Sequence, residues 1–474
     1  MPARMVKGVA ERFPASEPLS HEAILSIYED REGSMWFGTD AGGLAILRNQ
    51  SFTTYTSREG TLENQVRCVL QTHNRIVWIG TNGGGLRRFK DRQFSTLAVA
   101  DGLASNIILS LAEDGAGDLL IGTPDGLNRL HQGTLSLVTS ADGLAEDFIR
   151  SIHADDSVWV GTRRGLSHID GNRVTTYTQA HGLGSDLIGS MVRGRDNELW
   201  IATLHGLARY RDGTFTNYTT KDELSSSVIT DLYMDSEGTL WIGTQGGGLD
   251  RLHDQVFTGF TPQLGIPETI YGVNEDAHGN LWLAAQNGIF RVSKNDLNGH
   301  ATGRITVVPY GTSDGLQVSE CTGGGHPAIW KDHDGALWFS TAKGVAVLRL
   351  GRNRLNQLPP PVVLQSVWVD DRVFDPAQIT EVAPGHSRLS FEYAGLSFLA
   401  PQKIQFRYKL EGFDRDWVNA GNRRIAYYTN IPPDITVSAW LPATTMVSGM
   451  SGGHPLPSIF VLIITRLGGS VLYC

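Results

Sequence analysis

The sequence predicts an all-β protein: a β-propeller of eight blade-like repeats, with seven or eight blades in the ring, followed by a truncated immunoglobulin-like β-sandwich. Three observations predict it. A short phrase (aromatic, aliphatic, small residue, threonine) recurs at steps of 42, 42, 39, 41, 41, 41 and 56 residues. It reads Trp36-Phe37-Gly38-Thr39, Trp78-Ile79-Gly80-Thr81, Leu120-Ile121-Gly122-Thr123, Trp159-Val160-Gly161-Thr162, Trp200-Ile201-Ala202-Thr203, Trp241-Ile242-Gly243-Thr244, Trp282-Leu283-Ala284-Ala285 and Trp338-Phe339-Ser340-Thr341. A fixed period of this length built from strands is the signature of a propeller. Turn signals such as Asp235-Ser236-Glu237-Gly238 precede the phrase, and the period stops after Pro359-Pro360-Pro361.

Each repeat accounts for four strands. Val228 to Met234 is β-rich and largely apolar, as suits a strand buried on both faces. The Asp-to-Gly turn follows, with Asp able to bond its own backbone and Gly free to take positive φ. Leu240 to Thr244 is the second strand, Leu249 to Leu252 the third, and Thr214 to Thr219 of the preceding unit shows the polar outer strand. Asp30 to Gly33 and Asp332 to Gly335 are equivalent turns, and Gly102-Leu103, Gly143-Leu144 and Gly182-Leu183 open equivalent units. The small residue of the phrase fits a place where neighbouring blades approach closely. Trp36, Trp78, Trp159, Trp200, Trp241, Trp282 and Trp338 are therefore assigned to packing between blades, each able to bury roughly 150–250 Å².

The propeller is expected over residues 1–356. Gly8 to Phe13 aligns five periods upstream of Gly213 to Tyr218, so the chain opens in the last strand of a blade. That strand either closes the ring against the final blade or is the tail of a preceding propeller. The long step holds an insertion, Ser293 to Pro309, and Asn356 to Pro361 reads as a stiff linker. Val362 to Val369, Ser387 to Tyr393 and Gln405 to Leu410 then alternate as sandwich strands, giving an incomplete sandwich over 357–433. From Asp434 the alternation fails. Codons for this stretch can be chosen that read, one base out of frame, as further sandwich strands, so residues 434–474 are expected to be an aberrant tail produced by a frameshift.

The net charge of −9, with Lys and Arg spread through the turns, lacks the basic footprint of a nucleic-acid binder. Cys68, Cys321 and Cys474 are far apart and form no CxxC pair, which argues against a disulfide framework or a zinc site. Met1 to Ala10 has no apolar signal-peptide core, and Ile459 to Ile464, the longest apolar run, is too short to span a bilayer.

Ser26 to Gly33 with Trp36-Phe37-Gly38-Thr39 and Gly42-Gly43-Leu44 resembles the two-component regulator propeller repeat. Tyr408 to Asp414, then Trp417, Tyr427-Tyr428-Thr429-Asn430 and Pro432-Pro433, is similar to the triple-tyrosine (Y_Y_Y) domain. The resemblance covers roughly residues 8–433. It implies the periplasmic, ligand-sensing part of a bacterial inner-membrane receptor. The receptor's single membrane helix would lead to a histidine kinase or diguanylate cyclase, and the signal would pass through a homodimer of the sandwich. This chain lacks the signal peptide, membrane helix and output domain of that pattern, so it is expected to be the input half, with no cofactor and no catalysis of its own.

The residues agree with that expectation. Gly449-Met450-Ser451-Gly452-Gly453 fits a nucleophile elbow only as a string, having neither the strand before it nor the helix after it. The Asp-rich turns lack the distal Glu and spacing of calcium loops. His153, His168, His181, His205 and His253 show no metal-ligand spacing, and Gly246 to Gly248 and Gly323 to Gly325 read as tight turns. Binding is better placed on the loops after the second strands, at the mouth of the channel. Those loops begin with Asp40, Asn82, Pro124, Arg163, Leu204, Gln245, Gln286 and Ala342. Asp40, Asn82, Arg163, Arg164, His205, Gln245, Gln286 and Lys343 are the candidate ligand-binding residues, offering donors and acceptors suited to a small molecule or oligosaccharide. Glu320, Cys321 and His326 form a weaker second cluster. A propeller polysaccharide lyase or glycosidase would need carboxylates converging from several blades, and only Asp40 qualifies. A free-standing protein-interaction scaffold is the third reading.

Overall fold

The blade strands form because alternating apolar residues can be covered on both faces only by neighbouring sheets. The computed structural model describes residues 3–6, 9–12, 23–47, 50–56, 65–91, 93–299, 305–349, 361–376, 388–398, 401, 404–410, 413–429, 437–438 and 459–466. It divides into two compact units: residues 50–352, and residues 1–49 with 353–474.

Unit 50–352 is a closed ring of seven four-stranded antiparallel sheets. Blade one is Val66–Gln71, Val77–Thr81, Leu86–Lys90 and Gln93–Leu97. Blades two, three, four, five and six begin with the first strands Ser110–Glu113, Ile149–Ala154, Ile188–Arg193, Ile229–Met234 and Ile270–Glu275. Blade seven takes Ile329–Lys331, Leu337–Thr341 and Gly344–Leu348, and its outer strand is Phe52–Tyr55, from before blade one. The register Leu348↔Phe52 to Val345↔Tyr55 closes the ring. Phe52 lies against Trp282, Tyr310 and Phe339, with ring centroids 5.6–6.4 Å apart. The ring thus has seven blades, and the closing strand is not the Gly8–Phe13 segment considered from the sequence. Val9–Arg12 pairs instead with Ala3–Val6.

The recurring phrase has a separate physical reason at each position. Asp235 Oδ1 accepts the backbone N–H of Glu237 and Thr239, both at 2.9 Å, while Oδ2 accepts the Trp241 indole N–H at 2.9 Å. Asp276 with Trp282 and Asp332 with Trp338 repeat this clasp. The turn residue therefore fixes both the hairpin and the ring that packs between blades. In blade three, which follows the short 39-residue step, the turn carboxylate Asp155 accepts the Ser157 N–H but is engaged by Arg193 and not by the indole, and Trp159 stacks on His168 at 4.0 Å instead. A Cβ on Gly243 would come within 3.1 Å of Ile270 on the next blade, and one on Gly161 within 2.6 Å of Ile188. The small residue is required by that approach. The threonine hydroxyl closes the following loop, as Thr244 Oγ1 does by donating to the Gly248 carbonyl at 2.8 Å.

The insertion in blade six forms a short helix, Lys294–Asn298. Its buried Lys294 ammonium reaches Glu275 at 2.9 Å and Asp235 at 3.1 Å. Residues 300–304 of the insertion lie outside the described residues.

The other unit holds a three-stranded sheet, Ile24–Glu29, Met35–Thr39 and Leu44–Leu47, and a sandwich. One sandwich sheet runs Arg372–Phe374, Val362–Val369, Arg388–Gly395, Ile425–Thr429. The second contains Val418–Gly421 and Gln405–Leu410. Its core is Val367, Phe391, Tyr393, Phe406, Tyr408 and Tyr428 with their neighbours. The Tyr428 hydroxyl donates to Asp414 at 2.6 Å and the Tyr393 hydroxyl to the Arg423 carbonyl at 3.1 Å, so two core tyrosines keep their polar ends satisfied. In the tail, Val437–Ser438 and Ile459–Arg466 join the second sheet, the latter parallel to Gln405–Leu410. The rest of 434–474, including Gly449 to Gly453, lies outside the described residues.

Candidate functional site at the ring mouth

In five of the seven blades the loop after the second strand is tied by its backbone to the segment that leads into the first strand of its own blade. Asn82 N–H donates to the Gln65 carbonyl, Leu204 to Leu187, Gln245 to Val228, Gln286 to Thr269 and Ala342 to Glu320, at 2.9–3.4 Å. Gly246 and Gly248 also bond the Glu268 carbonyl, at the approach to the next blade. These loops therefore share one face of the ring on a fixed frame. His205, Gln245, Gln286 and Lys343 are exposed there, and Asn82 is half-buried. Their side chains make a donor-rich rim of amides and an imidazole, to which Lys343 adds a cation.

Arg163 behaves differently. Its guanidinium lies 2.8 Å from Glu146 and 4.1 Å above the Phe148 ring, and Arg164 approaches the same carboxylate at 3.8 Å. Glu146 thus neutralises a charge that the sequence offers as a ligand donor. Glu146 and Phe148 sit on the approach to the first strand, a contact that loop composition alone does not signal. Asp40 belongs to the three-stranded sheet of the other unit and is not part of the ring's loops. The rim residues come from separate blades, and among the described residues no three His, Cys, Asp or Glu side chains gather as metal ligands.

The Glu320, Cys321 and His326 group separates in space. Cys321 Sγ is buried, 3.8 Å from the Gly288 carbonyl, and burial pushes its thiol up to about 12, so no thiolate forms at neutral pH. His326 turns inward instead. Its Nε2 is 3.1 Å from Ser190 Oγ and 3.6 Å from Asp231 Oδ1. Burial lowers His326 to about 4, with His153 adding to the effect, and burial raises Asp231 to about 7. Gly323 to Gly325, a tight turn in the sequence reading, is the lead into this inward segment.

The rotated, Trp-clasped sheets and the two-layer domain define a repeat propeller followed by a sandwich. The repeats match the two component regulator propeller family at residues 18–41 and 223–246, and the sandwich matches the Y_Y_Y domain at 397–433. The chain therefore carries two-component regulator propeller repeats and a Y_Y_Y domain. Its structure is similar to the extracellular domain of the putative hybrid two component system BT3049 from B. thetaiotaomicron, with a TM-score of 0.71 at 20% identity over 93% of this chain and 61% of that one. The extracellular domain of BT4673 from the same organism gives a TM-score of 0.56 at 18% identity, covering 93% and 63%. A catalytically inactive virginiamycin B lyase from Staphylococcus aureus gives 0.50 at 14% identity over 63% of this chain and 99% of that one. The chain spans under two thirds of the length of the two extracellular domains. No curated protein matches the sequence.

Proposed function

We propose that this chain is the ligand-sensing, extracytoplasmic region of a bacterial signal-transduction receptor, and that it binds rather than catalyses. The observation that carries the reading is the pairing, in one chain, of two-component regulator propeller repeats with a Y_Y_Y domain. The rim of half-buried Asn82 with exposed His205, Gln245, Gln286 and Lys343 is the proposed binding surface, with an oligosaccharide or other small polar molecule as ligand. Directional amide donors on a rigid ring suit hydroxyl-rich ligands, and Arg163, engaged by Glu146, is held as part of the rim's frame.

Relay is proposed through a homodimer of the sandwich in the intact receptor. One cross-strand row of its outer face, Val373–Trp368–Ser390–Tyr427, holds three exposed apolar side chains at 57%, 41% and 62% exposure. A row of this kind suits a self-complementary contact. A ligand would shift the receptor only by binding one state of the ring better than another.

The test is a thermal-shift screen of oligosaccharides, peptides and small acids against the chain. A ligand at a hundredfold excess over Kd adds roughly 2.7 kcal/mol to folded-state stability. Gln245→Ala, Gln286→Ala and Lys343→Ala are expected to remove the shift while keeping the unliganded midpoint. A shift that survives all three moves the site elsewhere, and turnover of any hit in place of stabilisation ends the sensor reading.

A further inference from the structure

The first strand of blade seven is interrupted in a way that no other blade shares. Elsewhere this strand carries a small register shift, as between Ile229 and Asp231. In blade seven the Thr322 N–H donates to the Ser340 carbonyl and the Ser340 N–H to the Ala328 carbonyl, so Gly323 to Pro327 loops out between them. The excursion crosses the centre of the ring. The Pro327 carbonyl accepts the Val69 N–H of blade one, and His326 exchanges backbone bonds with Leu109 and Leu111 of blade two, all at 3.0 Å. The His326 side chain continues to Ser190 on blade four and Asp231 on blade five. A Cβ at Gly323 would stand 2.6 Å from the Tyr271 ring of blade six, which explains a glycine there. Six blades are thus joined by one five-residue segment.

The side-chain end of this segment gathers His326, Ser190 and Asp231. Ser190 Oγ accepts the Leu232 N–H at 3.2 Å, and Asp231 Oδ2 accepts the Val273 N–H at 2.8 Å. Asp231 Oδ1 faces His326 Nε2 at 3.6 Å, too far for a direct hydrogen bond, and Ser190 is bonded to both, so an uncharged imidazole and a buried carboxyl sit side by side favourably only while this group of three keeps its proton. The other groups around His326 do not supply a counter-charge. His153 of blade three repels a charged His326 and is itself beside Asp155, which Arg193 engages at 2.6 Å. Arg67 of blade one lines the glycines, blade two presents Ser110, and blade six presents the Tyr271 phenol. Among the described residues no lysine or arginine pairs with Asp231.

We propose that residues 323–327 are an inner latch of the ring, closed by one proton held within the linked group His326, Ser190 and Asp231, and that losing this proton loosens blade seven and the mouth loops bonded to it. Those bonds are Cys321 N–H to the Ala285 carbonyl and Ala342 N–H to the Glu320 carbonyl, beside Gln286 and Lys343. The latch stands whether or not the mouth binds a ligand.

The experiment is hydrogen exchange at the Cys321 and Ala342 amides, with denaturation, for the chain and its Asp231→Asn and His326→Gln variants across pH. Asp231 is raised when folded, so its contribution is complete below the ordinary carboxylate range and is lost as pH climbs to about 7. His326 is lowered, so its contribution is complete above about 6.5 and is lost as pH falls toward 4. In the unaltered chain the two cancel between about pH 4 and 6.5. Protection is expected to hold over that range, to fall about threefold as pH passes from 6.5 to 7, and to stay level above. Asp231→Asn should abolish the fall near neutrality and leave only the acid loss, while His326→Gln should decline from weakly acidic pH up to about 7. Flat protection in the unaltered chain across neutrality, or a fall near neutrality that persists in Asp231→Asn, overturns the latch. These two arms decide the matter even if His326→Gln does not fold.

Discussion

The three-stranded sheet of residues 24–47 and blade five of the ring are the same repeat in different surroundings. Their registers align Ile27 with Leu232 and Leu44 with Leu249. Leu232 and Leu249 are 4% and 0% exposed, whereas Ile27 and Leu44 are 59% and 68% exposed. Trp241 is wholly buried against its neighbours, and Trp36, with the same clasp to Asp30 at 2.8 Å, is half-buried and meets Phe398 edge-on at 5.1 Å. The local hairpin chemistry is thus intact in both sheets. What differs is the flanking sheets, so the core of this fold lies between repeats rather than within them.

Cutting the largest inter-blade contact should widen this contrast most. Trp241→Ala is expected to cost about 3–5 kcal/mol, against roughly 1–2 for Trp36→Ala, by chemical denaturation. Equal costs would mean that the repeats carry their own cores. Next is the clasp. Asp235→Asn removes the carboxylate shared by Trp241 and buried Lys294 and should cost about 2–3 kcal/mol, while Asp30→Asn, which loses only the indole and turn contacts, should cost about 1.

A titration separates the two sheets further. Buried Asp250 accepts the Ser225 N–H at 2.9 Å, and burial raises its carboxyl to about 6. Its folded form therefore holds a proton that the unfolded chain gives up. Stability from this group is full below the ordinary carboxylate range and is lost as pH rises to about 6. Blade two has Asn128 in the same place, accepting the Ala104 N–H at 3.0 Å, and the three-stranded sheet has Ala45. Asp250→Asn should raise stability at neutral pH by on the order of 2 kcal/mol and flatten the slope between these pH values. An unchanged slope would assign the titration to another group. The smallest effect belongs to the exposed face. Leu44→Ser and Ile27→Thr should move stability by less than about 0.5 kcal/mol while lowering binding of a hydrophobic dye. A large loss would show that these residues are covered in solution.

The blade content was legible because its causes are local: the Asp235 turn, the Trp241 indole and the glycine at Gly243 lie within one hairpin. The closing strand was not, since Phe52–Tyr55 reads like any other outer strand and its partner lies at the far end of the ring. The mouth loops were found by position, but the pairing of Arg163 with Glu146 depends on two segments meeting at the same face. Three consecutive glycines at 323–325 have the composition of a turn, and only the six surrounding blades show that they lead into the channel. His326 carried no spacing signal at all, because its partners Ser190 and Asp231 come from other repeats.

The borrowed outer strand has a consequence for biosynthesis. Phe52–Tyr55 leaves the ribosome before every other strand of the ring and finds its place only when Gly344–Leu348 has followed. Until then a nascent ring carries six complete sheets with two open flanks, each able to recruit a copy from another molecule. Its yield should depend on how quickly the final repeat arrives, and pausing late in translation should harm it more than pausing early.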